Sequence, residues 1–195
     1  MKRVMKRTMN NNLVTYIADY YTGGYRELCH AVKERNERAI IEAAKLLATI
    51  TPANAVIVPI PNHEGYATYT KHIALEISKI NGCKVLDLLF SDKRDTLYNS
   101  KLKGSKIALN FQTKSTTPNG NIILIDNVID TATTYNAACN AMKKQLPLIT
   151  IAATQTFIRT LQTCYNFTMF HPSNLKQQSN ERQTNQIWEI QRTTY

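Results

Sequence analysis

Residues 122–138 read IILIDNVIDTATTYNAA. Four apolar residues run into Asp126, and Asp130, Thr131, Thr133 and Thr134 follow within eight positions. Acids and hydroxyls placed straight after a buried apolar run have a chemical use where a strand turns into a helix. The first backbone N–H groups of a helix lack internal partners, and with the helix dipole they favour an anion. Threonine hydroxyls add donors there, and Asp126, just before the turn, suits sugar hydroxyls directly or through a metal ion. An acid followed by a phosphate cradle fits a ribose phosphate. Helix capping is the other reading, because Asp and Thr are good capping residues in any helix.

Such a turn needs a strand before it and a helix after it. Residues 55–61 (AVIVPIP) form a β-branched run stopped by prolines, and 83–90 (CKVLDLLF), 121–128 and 148–157 are further apolar runs. Between them, 25–50 carry apolar residues at helical spacing with a break predicted near Asn36. Residues 66–80 carry Ile73, Ala74, Ile77 and Ile80 on one stripe, and a helix is predicted over about 131–145. Strands that are continuously apolar and alternate with helices predict an α/β fold, a mainly parallel sheet with helices on both faces. In such sheets ligands bind beyond the carboxyl ends of the strands, where Asp126 falls.

The 195 residues suit one domain, and 43% hydrophobic content supports a real core. Three parts are predicted: a loose basic arm (1–15), the α/β domain (16–157) and a polar extension (158–195). Lys and Arg exceed Asp and Glu by ten, so polyanions are candidate partners: nucleic acid, acidic lipid or a phosphorylated small molecule. Part of that excess is also readable as solvated surface, since the charge is spread along the chain. Cys29, Cys83, Cys139 and Cys164 form no CxxC pair and have no metal-ligand spacing, which reads as reduced, mostly buried thiols of a cytoplasmic protein. Asn166-Phe167-Thr168 matches a glycosylation acceptor by chance in that setting. MKRVMKRTMNNN is basic without an apolar run behind it, and no segment approaches membrane-span length, so no membrane partner is expected. Residues 91–120 form a long, polar, basic loop, of the kind that is functional or mobile in compact domains. His30, His72 and His171 have no evident partner.

ILIDNVIDTATT resembles the phosphoribosyl-pyrophosphate (PRPP) motif of type I phosphoribosyltransferases, with Asp130-Thr131 nearest the purine-salvage version. Two other stretches are similar to the ComF-like competence proteins of that superfamily. In YYTGGYRELCHAVKERNERAIIEAAKLLA (20–48) an aromatic-Gly-Arg segment leads through a Lys into the first long helix. In VIVPIPNHEGYATYTKHIALEIS (56–78) a Pro-x-Pro segment precedes a helix. Together the resemblance covers about residues 16–155. It implies a magnesium-dependent transferase that moves a phosphoribosyl group from PRPP to a nitrogen acceptor and releases pyrophosphate.

Carried over residue by residue, Asp126 and Asn127 hold the ribose hydroxyls, Asp126 also serving magnesium. Asp130, Thr131, Ala132, Thr133 and Thr134 hold the 5′-phosphate, and Asp130 contacts or deprotonates the incoming base. Pro61, Asn62 and His63 fall on the pyrophosphate loop, which in the family often carries a cis peptide. Lys93, Arg94, Lys101 and Lys103 fall on the flexible lid, where a solvated loop is the plain alternative. Two departures stand out: Asn127 replaces the second acid, and Ala132 replaces the usual glycine of the phosphate turn. The cysteine metal finger of many ComF-like proteins is also missing. The implied ligands are PRPP or a nucleoside monophosphate. The alternative function is a non-catalytic PRPP or nucleotide sensor, or a single-stranded-DNA-binding protein in DNA uptake or processing. Homodimers are common in the superfamily, and the sequence leaves the oligomeric state open.

Overall fold

The computed structural model describes residues 4–9, 13–96, 99, 102, 109–116, 118–162 and 169–170. Strands β2 (Leu13–Tyr20), β3 (Val56–Pro59), β4 (Lys84–Val85), β7 (Ile122–Ile129) and β8 (Leu148–Ala153) lie parallel, in the order β4-β3-β7-β8-β2. Strand β1 (Val4–Met9) extends the sheet antiparallel to β2, and β9 (Met169–Phe170) pairs antiparallel with β1. A separate two-stranded ribbon joins β5 (Leu89–Phe90) to β6 (Gln112–Thr113). The expected α/β class with a mainly parallel sheet is what the chain adopts.

The middle strand explains why both faces are covered. In β7, Ile122 and Leu124 face one core while Ile123 and Ile125 face the other, and all four are buried. Each contributes about 1.5–3 kcal/mol by leaving water. Helices α1 (Gly23–Lys33), α2 (Glu37–Ala48) and α3 (Tyr69–Asn81) close the Ile123/Ile125 face. Helices α4 (Thr133–Ala141) and α5 (Gln155–Gln162), with the ribbon, close the Ile122/Leu124 face. The predicted break at Asn36 is an N-cap, whose side-chain oxygen accepts the Ala39 N–H at 3.1 Å.

Several local expectations give way. Residues 4–9 form a strand rather than a loose arm, and 13–20, not read as a strand, form β2. The run at 83–90 splits into β4 and β5, because the Asp87 carboxylate binds Lys71 at 3.1 Å and Lys114 at 3.3 Å and the chain leaves the main sheet there. The run at 148–157 ends as a strand at Ala153. Thr154 caps α5 by accepting the Phe157 N–H at 3.3 Å, so residues 155–157 are helical. Helix α4 stops at Ala141, short of the predicted end. His30 has a partner, the Tyr21 hydroxyl at 3.0 Å. Cys29, Cys83 and Cys139 are free and buried as expected, while Cys164 and His171 lie outside the described residues. Among the described residues no helix is long and apolar enough to cross a membrane.

Candidate functional site

The carboxyl ends of four parallel strands meet in one place. The Ile60 N–H bonds to the Ile125 carbonyl, Thr154 to that of Ile129, and Tyr21 to that of Ala153, at 2.8–3.0 Å. Residues 60–66, 130–134 and 21–22 therefore leave the sheet side by side, whereas Asp126, expected at the end of its strand, lies within β7 opposite Thr150, because the pairing with β8 continues to Ile129.

At the end of β7 the chain enters α4 through Ala132, whose φ of 58° and ψ of 7° are left-handed. An alanine there carries about 1–2 kcal/mol of strain that a glycine escapes. Among the described residues no side chain caps the helix at Ala132. Thr131 and Thr133 share a hydroxyl–hydroxyl hydrogen bond of 2.8 Å beside that N-terminus. Thr131 is exposed and Thr133 and Thr134 are half-buried.

Asp126 is half-buried, and its Oδ1 accepts the Asn127 N–H at 2.7 Å. Desolvation pushes its carboxyl up from 3.8 to about 6, against the pull of that hydrogen bond and of the Lys33 and Arg94 charges. Arg94, half-buried at the base of the basic loop, is itself held below the usual guanidinium range by desolvation. Its Nε is buried without a hydrogen-bond partner among the described residues. Burial, followed by the charge of Asp126, pushes the Tyr69 hydroxyl well above the ordinary tyrosine range. Cys29 is pushed up to about 12, mainly by burial. Lys33 and Tyr69 were not singled out from the sequence, and Cys29 was read there only as a buried thiol. For Lys33 the only signal was the lysine that leads into the first long helix.

The segment 61–66 lies against the base of the basic loop. Asn62 accepts the Glu64 N–H at 2.8 Å through its side-chain oxygen and donates to the Thr68 hydroxyl at 2.9 Å. The Arg94 N–H bonds to the His63 carbonyl at 2.9 Å, and the Ser91 N–H to that of Gly65 at 2.8 Å. Gly65 has a φ of +96°, and a Cβ there would sit 2.1 Å from the Ser91 oxygen. Pro61 is buried and His63 exposed, and among the described residues no peptide bond is cis, unlike the expectation for this loop.

Asp126, the 131–134 turn, the 61–63 segment and Arg94 thus share one edge of the sheet. Lys93 is exposed next to Arg94, and Lys101 and Lys103 lie outside the described residues. Asp130 accepts the Thr154 hydroxyl at 2.7 Å, which ties it to the end of β8. The Asn127 side chain is not brought into the crevice: the residue is 1% exposed, and its Nδ2 donates to the Cys29 carbonyl at 2.9 Å. Among the described residues no cluster of three or more His, Cys, Asp or Glu side chains could hold a metal ion.

No family model and no curated protein matches the chain. Among solved structures the chain is similar to a purine phosphoribosyltransferase from Pyrococcus horikoshii Ot3, at 18% identity over 71% of this chain and 79% of that one, with a TM-score of 0.36.

Proposed function

We propose that the crevice binds the ribose 5-phosphate unit of PRPP or a nucleoside monophosphate, and that the protein is a phosphoribosyltransferase-like transferase of ComF-like type. The observation that carries this reading is the N-terminus of α4, which no side chain caps among the described residues, entered through a left-handed Ala132 and flanked by the Thr131 and Thr133 hydroxyls, with Asp126 on the strand that leads into it. The turn from Asp130 to Thr134 then takes the 5′-phosphate and Asp126 takes the ribose hydroxyls. Arg94, with Lys93 beside it, supplies positive charge for the pyrophosphate, and Pro61, Asn62 and His63 border that end.

One carboxylate is too few for a protein-built magnesium cage. It suits an ion that arrives already coordinated by a diphosphate, the usual way magnesium is held. Bound there, magnesium would neutralise charge on the leaving diphosphate. In the proposed transfer a nitrogen acceptor forms a bond to ribose C1 while the bond from C1 to the diphosphate oxygen breaks, and a base takes the acceptor's proton. Asp130 is the residue proposed for that contact, with one oxygen already engaged by Thr154. A second reading, binding without turnover, is favoured by the absence of the Asn127 side chain from the crevice.

Calorimetry with PRPP and Mg²⁺ on the wild type, Asp126→Ala and Thr133→Ala tests the binding. Micromolar binding by the wild type, weakened at least about tenfold in each variant, is expected, since a lost charge-assisted hydrogen bond costs about 1.5–3 kcal/mol. Equal binding by all three proteins, or none by the wild type, would refute the assignment. Pyrophosphate release from PRPP with purine, pyrimidine and amine acceptors separates transferase from sensor.

A further inference from the structure

Asn127 stands where the resembled motif has its second acid, yet its side chain points into the protein interior. Its Nδ2 donates to the Cys29 carbonyl of α1 at 2.9 Å, across 98 residues of sequence. The Cys29 thiol lies 3.9 Å from the Asn127 carbonyl, so backbone and side chain of residue 127 both meet the same turn of α1. The residue is 1% exposed, and its Oδ1 has no partner among the described residues. A buried acceptor left unpaired is unfavourable, so the position is occupied for the donor that an amide supplies and a carboxylate lacks. Lys33 lies one helical turn beyond Cys29 on α1, and its charge acts on Asp126 and on Cys29.

We infer that Asn127 is a positioning residue: its amide seats α1 against β7 and so presents Lys33 to the anionic ligand beside Asp126. The inference rests on the ribose-phosphate reading above and adds Lys33 to its contacts. It reverses the expectation from the motif. Restoring the acid with Asn127→Asp removes the donor, sets a carboxylate against the Cys29 carbonyl, and weakens the site.

The test is a double-mutant cycle read by PRPP calorimetry with Mg²⁺, using Lys33→Met, Asn127→Asp and the double variant. Asn127→Leu, uncharged and of similar size, replaces Asn127→Asp if the latter does not fold. Each single change is expected to weaken PRPP by about tenfold, and the pair by about tenfold as well, because both remove the same charge contact. General damage to the fold would instead multiply the losses to about a hundredfold. Multiplied losses, unchanged binding in Lys33→Met, or tighter binding in Asn127→Asp would overturn the inference and leave the ribose-phosphate reading standing. No PRPP binding by the wild type would overturn both.

Discussion

Asp126→Asn is expected to make the free protein more stable at neutral pH while removing the ligand's anchor. Burial pushes the Asp126 carboxyl from 3.8 up to about 6 in the folded chain, outweighing the Asn127 N–H hydrogen bond and the attraction of Lys33 and Arg94. The folded state therefore holds its proton to higher pH than the unfolded state. The sign follows: stability falls as pH rises from about 4 to about 6, and the penalty is complete above the folded value. At about 1.4 kcal/mol per pH unit that rise amounts to about 3 kcal/mol. A discount for the part of the carboxyl that water reaches brings it to about 2 kcal/mol. Asparagine mimics the protonated acid and still accepts the Asn127 N–H, so the variant should lack the penalty. At pH 7.5 it should be more stable by about 2 kcal/mol, or about 4–8 °C in Tm for a chain of this size. At pH 4 the two proteins should be nearly equal. Urea denaturation of both at half-unit steps from pH 4 to pH 8 measures this, and the difference between the curves isolates residue 126 from every other titrating group. A pH-independent difference, or a variant less stable than wild type at pH 7.5, would refute the assignment of a desolvated carboxylate to this position.

Other substitutions probe the turn and the loops around it. Ala132→Val puts a β-branched side chain at φ 58° and is expected to cost about 2 kcal/mol in urea denaturation, whereas Ala132→Gly should stay within about 1 kcal/mol of wild type. Gly65→Ala combines a φ of +96° with a clash against the Ser91 backbone, and a loss of about 3 kcal/mol or more is expected in the same assay. Asp87→Ala frees Lys71 and Lys114, which are themselves largely solvated, so it should cost no more than about 1–2 kcal/mol. Its clearer effect should be faster protease cleavage between residues 91 and 111, because the ribbon loses its tie to α3.

The elements that spoke clearly in the sequence are those whose partners are water and apolar core. Ile122 to Ile125 announce a strand buried on both faces, and Asn36 announces a helix start whose capping bond is local. The strand β2 was missed because its parallel partner is β8, with Tyr16 opposite Ile149, and nothing near residues 13–20 shows that pairing. The split of 83–90 depends on Lys71 and Lys114 reaching Asp87 from other elements. At the site, Asp126, the threonine turn and Arg94 were legible as residue types that suit an anion. Asn127 read as a weakened acid, since its partner, the Cys29 carbonyl, is a backbone group with no mark in the sequence.

The pairing of β2 with β8 also bears on how the chain comes to be folded. At about 5–20 residues per second of synthesis, β8 emerges roughly 7–27 seconds after β2. During that interval β2 can pair with β1 as a local hairpin, but the edge that β8 will occupy stays open. An unpaired strand edge is a template for other chains. The nascent protein should therefore be most exposed to aggregation before residue 153 is made, and a chain cut short ahead of β8 should gather in inclusion bodies or on chaperones, since the seat between β7 and β2 would be empty.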